Sequence, residues 1–253
     1  MSHSINYNHL LHSAIGTCIA ELITLPICTV KTNYQNTNSH SIIHTTKHIM
    51  TSHGLGHFWK ASIPSISSQI ISTSSKYFLY RTLQENKFIS QYSFINGLVS
   101  GITSSILTHP FDYIKIHLQM SQSMSSILSD LKHTNSNTIV LSKLYRGYSK
   151  TFSKVLCSSG FFFPLYDYFK HTTDNTFVAS ILSSVTSTLL MHPIDYLKTR
   201  HIYGKPLFSG WNPIHYYKGL SLNLLRIVPH FTIVMSTISY LDSIHKSTIS
   251  NRH

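Results

Sequence analysis

Charge is what this sequence has least of. Of its 253 residues only 11% are Asp, Glu, Lys or Arg, against roughly a quarter in an average soluble protein. Acids are the scarcer sign, 8 against 20 bases. So little charge fits either a weakly charged soluble protein or a membrane protein whose helices face water on one side. The polarity comes from Ser, Thr, Asn and His, and hydroxyls that bond back to the backbone are tolerated within bilayer helices. Cysteine is nearly absent: Cys18, Cys28 and Cys157 stand far apart with no CxxC spacing, which excludes a disulfide framework or a zinc site. The 18 histidines are scattered without an HExxH pattern, so they read as composition, and no metal or cofactor is expected. No uninterrupted apolar stretch of 20 residues occurs. The first 18 residues hold neither a basic region ahead of an apolar run nor an Arg-rich amphipathic stretch, so no cleaved presequence is expected.

The bases leave a formal charge of +12, which implies an anionic partner: nucleic acid, an anionic lipid surface or a negatively charged small substrate. Nucleic acid needs a basic cluster on one face, and none is visible. No nucleophile–base pair, phosphate loop or metal spacing marks an enzyme.

The dominant feature is a repeat. LPICTVKTNYQ (Leu25 to Gln35), HPFDYIKIHLQ (His109 to Gln119) and HPIDYLKTRHI (His192 to Ile202) align without gaps, with Pro26, Pro110 and Pro193 spaced 84 and 83 residues apart. Each is followed by an aromatic–base echo: FWKA ending at Ala61, LYRG at Gly147 and YYKG at Gly219. The repeats run approximately over 9–90, 91–174 and 175–248, within one domain over 1–253. Each reads as two helices around a polar connection, the first over 9–35, 93–120 and 176–202, the second over 62–84, 148–170 and 218–243. Ser, Thr and an occasional charge recur on one face. At about the span of a bilayer, such a stripe lines a bundle core or a water-filled cavity; a soluble array of helix pairs is disfavoured because it would need charged outer faces.

Proline inside the first helix of each repeat removes an N–H and kinks the helix. Asp112 and Lys115, and likewise Asp195 and Lys198, follow at two and five residues, so acid and base share a face beyond the kink. Three such helices in a ring would gather these charges at one end of a cavity, where ions at membrane depth persist only when paired or hydrated.

Proline–x–acid–x–x–base followed by aromatic–base–glycine resembles the mitochondrial carrier signature, and the resemblance covers nearly the whole chain. It implies an all-α membrane protein of six transmembrane helices in threefold pseudosymmetry, in the mitochondrial inner membrane, with both termini on the intermembrane-space side. It implies short matrix helices near 40–55, 122–140 and 205–213, and alternating access of one central site through two gates. Carried over residue by residue, the matrix gate pairs Asp112 with Lys198 and Asp195 with Lys31. Cys28 stands where an acid for Lys115 is expected, so one bridge is missing. Gln35 and Gln119 match the glutamine brace below the bridges, and Ile202 does not. Tyr166, Asp167 and Lys170 match the cytoplasmic gate; Tyr80-Arg81, and Tyr240 with Asp242, depart from it, as does Ala61 from the signature glycine.

The resemblance also implies substrate contacts seven residues after Ala61, Gly147 and Gly219, which gives Ser68, Lys154 and Arg226, with neighbours Gln69 and Val155. Two cations and a hydroxyl at one depth make an anion site, Arg226 gripping with two parallel bonds and Lys154 acting as a point charge. Lys76 is expected to face the cavity as well. Glu21, a lone acid in a membrane helix, is a functional candidate: a partner for Arg226 or Lys76, a proton carrier, or a contact for a substrate amine. The expected partners are a small anion, a nucleotide or deoxynucleotide first, and membrane lipid such as cardiolipin, with the chain monomeric and no nucleic acid bound. Lys198-Thr199-Arg200-His201-Ile202 departs from the ADP/ATP exchanger's stretch. The trimmed loops resemble those of the carrier-like proteins of giant viruses. A carboxylate, phosphate or amino-acid-derived substrate, or a non-transporting membrane adaptor, remains the alternative.

Overall fold

A computed structural model describes residues 7–37, 41–85, 93–133, 137–173, 175–208 and 210–250. Within them the chain is helical, with six long helices: α1 (Tyr7–Asn36), α3 (Ser62–Glu85), α4 (Ser93–Gln119), α7 (Tyr148–Thr173), α8 (Thr176–Tyr203) and α9 (Leu220–Ser250). Three short ones, α2 (Ile42–His53), α5 (Met124–Lys132) and α6 (Asn137–Leu144), lie in the connections, with 3-10 turns at Leu55–Trp59 and Pro213–Tyr217. The shortest long helix has 24 residues, about 36 Å at 1.5 Å per residue, enough for a hydrocarbon core of about 30 Å. By hydropathy as well as length, Leu11–Asn36 and Pro213–Leu241 qualify as spans; the others are diluted by hydroxyl residues.

The six helices match the stretches read from the repeat, with α9 running seven residues beyond 243. Pro26, Pro110 and Pro193 each lie inside a helix. Two connections depart from expectation. The stretch over 122–140 holds two helices, α5 and α6, and the stretch over 205–213 holds none among its described residues. Gly204 and Gly210 take φ of 87° and 101°, and Pro206 and Pro213 flank the segment, which leaves no run long enough for a helical turn.

The bundle is polar inside and apolar outside. Among the described residues, buried polar side chains outnumber buried apolar ones. Leu11, Ile15, Ile19 and Leu22 stand exposed along one face of α1, as do Ile95, Val99, Ile106 and Leu107 on α4. That inversion of the usual soluble arrangement suits a lipid surround. Among the described residues, apolar cores form where two of the short helices seat. Ile49 of α2 packs with Val30, Phe58 and Leu222, and Ile127 of α5 packs with Ala61 and Leu118.

The two histidines ahead of the signature prolines are structural. His109 donates from Nε2 to the Arg146 carbonyl at 3.1 Å, and His192 to the Lys218 carbonyl at 3.2 Å. In the first repeat, where Leu25 stands instead, Thr29 donates to the Phe58 carbonyl at 2.9 Å. Each repeat thus ties its first helix to the linker preceding its second. The signature glycines have a matching division. Gly147 and Gly219 take φ of 80° and 85°, whereas Ala61 is not among the residues with positive φ. Its turn needs no glycine, which explains that departure from the pattern.

Candidate functional site

The helices bring charges from α1, α4, α7, α8 and α9 into one layer. Lys198 donates to Asp112 at 2.8 Å, and Lys31 pairs with Asp195. Both pairs have the partners that the family resemblance implies. Lys31 also donates to Asn223 Oδ1 at 3.1 Å.

Lys115 overturns the expectation of a missing bridge. Its ammonium donates to Glu21 at 2.7 Å. Glu21 lies seven residues, two turns, ahead of Cys28 on the same face of α1, so the long lysine reaches the next acid up the helix. The other Glu21 oxygen accepts from Arg226 Nη2 at 2.5 Å, and Gln69 Nε2 stands 3.5 Å away. Glu21 is therefore no lone acid: it is completely buried and bridges two cations, Lys76 not among them.

The residues placed at the substrate depth join the same layer. Ser68 donates to Asp112 at 3.3 Å, and Lys154 pairs with the second oxygen of Asp195. Lys154 and Arg226 are thus occupied by carboxylates here rather than standing free, although Lys154 keeps 37% of its side chain exposed. Lys76 is exposed and makes no ion pair among the described contacts. Val155 packs where a side chain on Gly101 would stand, 3.1 Å away.

Among the described contacts the two glutamines tie neighbouring elements together. Gln119 accepts from Thr32 at 2.8 Å, and Gln35 donates to the Lys218 carbonyl at 3.1 Å. Ile202, in the third glutamine position, is buried against Gly147. Beneath this layer, outside the spans, His57 donates to the Gln119 carbonyl at 3.1 Å, and burial pushes its imidazole below the ordinary histidine value. Of the opposite gate, Lys170 stands 5.9 Å from the Tyr166 ring centre. Asp167, Tyr80, Arg81 and Asp242 lie outside the residues whose side chains are described.

Three neighbouring cavities surround the layer. The lowest, about 160 Å³, is lined by Cys28, Lys31, Asp112, Lys115, Asp195 and Lys198. A second, about 350 Å³, holds Lys76, Lys154 and Val155 among serines and threonines, and shares Asp112 and Lys198 with the first. A third, about 410 Å³, lies towards α8 and α9 and presents Gln69, Asn223, Arg226, His230 and Phe231. The second and third meet at Ser158. Asn223, His230 and Phe231 escaped the sequence reading. Asn223 had a usable signal, since it sits three residues before Arg226 on one helical face.

The sequence matches known proteins over most of its length. The mitochondrial carrier protein model matches residues 2–91 and 86–176. The chain belongs to the mitochondrial carrier family. Over 236 residues it is 50% identical to a mitochondrial carrier-like protein of Acanthamoeba polyphaga mimivirus, covering 93% of this chain and 96% of that one. It is 22% identical to mitochondrial thiamine pyrophosphate carrier 1 of Lodderomyces elongisporus over 94% of this chain and 90% of the relative. To its counterpart in Meyerozyma guilliermondii it is 24% identical, over 88% and 89%. As a mitochondrial carrier the protein is a solute transporter of the inner membrane and not an enzyme, and its cation-rich cavities suit a small anionic substrate.

Proposed function

We propose that this carrier exchanges nucleotides or deoxynucleotides by alternating access, with the ion-pair layer as its matrix gate. The observation that carries the reading is a surplus of cations beside a mixed-polarity chamber. Among the described residues, six cations (Lys31, Lys76, Lys115, Lys154, Lys198, Arg226) line these cavities with two carboxylates (Asp112, Asp195), and a third, Glu21, is buried against Lys115 and Arg226. Charge at membrane depth seeks compensation, and a surplus of three suits a di- or triphosphate better than a monocarboxylate. The cationic chamber with Lys76 and Lys154 adjoins the one presenting Phe231, His230 and Asn223. A phosphate group in the first would leave a heterocyclic base in the second, against an aromatic ring and amide donors.

On this reading the signature end, with α2 and α5, faces the matrix, and both termini face the intermembrane space. The path runs within one chain, so a monomer suffices, and anionic lipid such as cardiolipin suits the basic balance. A second reading has its own support. The fungal relatives are thiamine pyrophosphate carriers by name, and thiamine pyrophosphate is also a heterocycle bearing two phosphates.

The test is uptake into liposomes by the purified carrier. We expect labelled dATP and ADP to enter against an internal nucleotide and not against malate, with uptake lost in Arg226→Ala and Lys154→Ala. Exchange of thiamine pyrophosphate alone would select the second reading, and exchange only of carboxylate or phosphate would discard both. No exchange of any of them would leave a membrane adaptor.

A further inference from the structure

We propose that Glu21 is the third acid of the closed gate, relocated into the substrate site, so that an anion binding at Arg226 itself loosens that bridge. The inference rests on Arg226 being an anion ligand, and deepens that reading by naming the residue that couples ligand to gate.

Each of the three acids meets a gate base and a group at the substrate depth, and Glu21 differs from the other two in its complete burial between two cations. Asp112 meets Lys198 and Ser68. Asp195 meets Lys31 and Lys154. Glu21, completely buried, is held from two sides: by Lys115 of α4 at 2.7 Å and by Arg226 of α9 at 2.5 Å. Lys115 carries the repeat's gate base, and Arg226 is the site's best bidentate anion ligand. One carboxylate thus serves both the gate and the site. The position that would keep them apart, two turns closer to the closed end, carries Cys28, a neutral side chain lining the lowest cavity with Lys115 and Arg226.

A phosphate competing for Arg226 takes away one of the two cations that stabilise the buried carboxylate. Glu21 is then left with Lys115 alone, in a site where an under-compensated ion is costly. The bridge across α1, α4 and α9 weakens when, and only when, an anion is present. Such a coupling suits an exchanger, because an empty carrier that opened freely would leak. A purely structural triad would show no such ligand dependence.

Cys28 supplies the readout, being 7% exposed and on the closed side of the bridge. In a Cys18→Ser, Cys157→Ser chain it is the sole thiol, and its modification by neutral methyl methanethiosulfonate can be timed by mass spectrometry in detergent. We expect dATP to accelerate modification in the native-Glu21 chain. Glu21→Gln should raise the rate without ligand at least tenfold, as a loss of about 1.4 kcal/mol gives, and dATP should then add little. Glu21→Asp, one methylene too short to reach both cations, should fall between; it serves alone if the Gln variant shows no cooperative thermal transition. Acceleration by inorganic pyrophosphate but not by dATP would retain the coupling and discard the nucleotide reading. Two results would overturn the proposal: a native rate in the Glu21 variants, or fast variants in a carrier that neither dATP nor pyrophosphate accelerates.

Discussion

A carboxylate within a bilayer-spanning bundle stays ionised only while cations or water meet it, and removing one partner of a buried pair costs more than the pair contributes. Asp112 and Lys198 are the simplest case, with 23% and 16% of their side chains exposed. Asp112→Asn leaves Lys198 without its carboxylate. The expected loss is about 2–3 kcal/mol, below the 3–5 typical of fully buried pairs because some solvent reaches this one. Thermal unfolding in detergent should show it, and the exchanged pair Asp112→Lys with Lys198→Asp should recover most of it, as a double-mutant cycle would quantify. Cys28→Glu, by contrast, adds a carboxylate to a cavity lined by four cations, Lys31, Lys115, Lys198 and Arg226. It should raise the unfolding temperature and slow exchange, and a fall in both would mean that Lys115 cannot leave Glu21. The pairs of Asp112 with Lys198 and of Lys31 with Asp195 were legible in the sequence through the family resemblance, which implies the partner at each repeat position. The links through Glu21 and Lys154 were not. They depend on the rotation of α1 against α4 and α9, and of α7 against α8, and periodicity identifies a face without naming the partner across the bundle.

For whole elements the repeat told more, because each helix was read three times over. Its limits show in the connections, where the three units differ. The segment after Gly204 carries glycines and prolines that forbid the short helix found in the other two connections, a local signal that outweighs threefold symmetry. The turn before the second helix of each repeat gives the sharpest test. At Gly147, φ is 80°, and an added Cβ would stand 3.0 Å from Ile202 Cγ1 and 3.2 Å from its backbone nitrogen. Gly147→Ala should therefore cost about 1–2 kcal/mol for the left-handed backbone, and more if Ile202 cannot move. Ala61→Gly, where φ is not positive, should cost under about 1 kcal/mol, through freedom gained by the unfolded chain. Unfolding of the two variants side by side checks the asymmetry; equal losses would mean that the first turn also needs a glycine.

Across the whole molecule, apolar side chains face outward and a cation surplus sits at the centre. The interior field should therefore govern how an anion is drawn in more than how fast it is carried. Steering acts through solvent and falls with ionic strength, whereas the ion pairs of the layer are largely shielded from salt. Raising KCl from about 20 to about 200 mM shortens the screening length from roughly 20 to roughly 7 Å. The apparent KM for a nucleotide should rise several-fold while the maximal exchange rate changes little. Lys76, exposed and without an ion pair among the described contacts, is the cation best placed to act on an incoming ligand before the layer rearranges. Lys76→Gln should raise KM at low salt and flatten its dependence on KCl, with the unfolding temperature unchanged because no carboxylate is orphaned. If salt lowered the maximal rate and left KM alone, the charges would act on opening of the layer and not on capture. The cation surplus would then belong to the gate, and the substrate would carry less charge than a nucleotide.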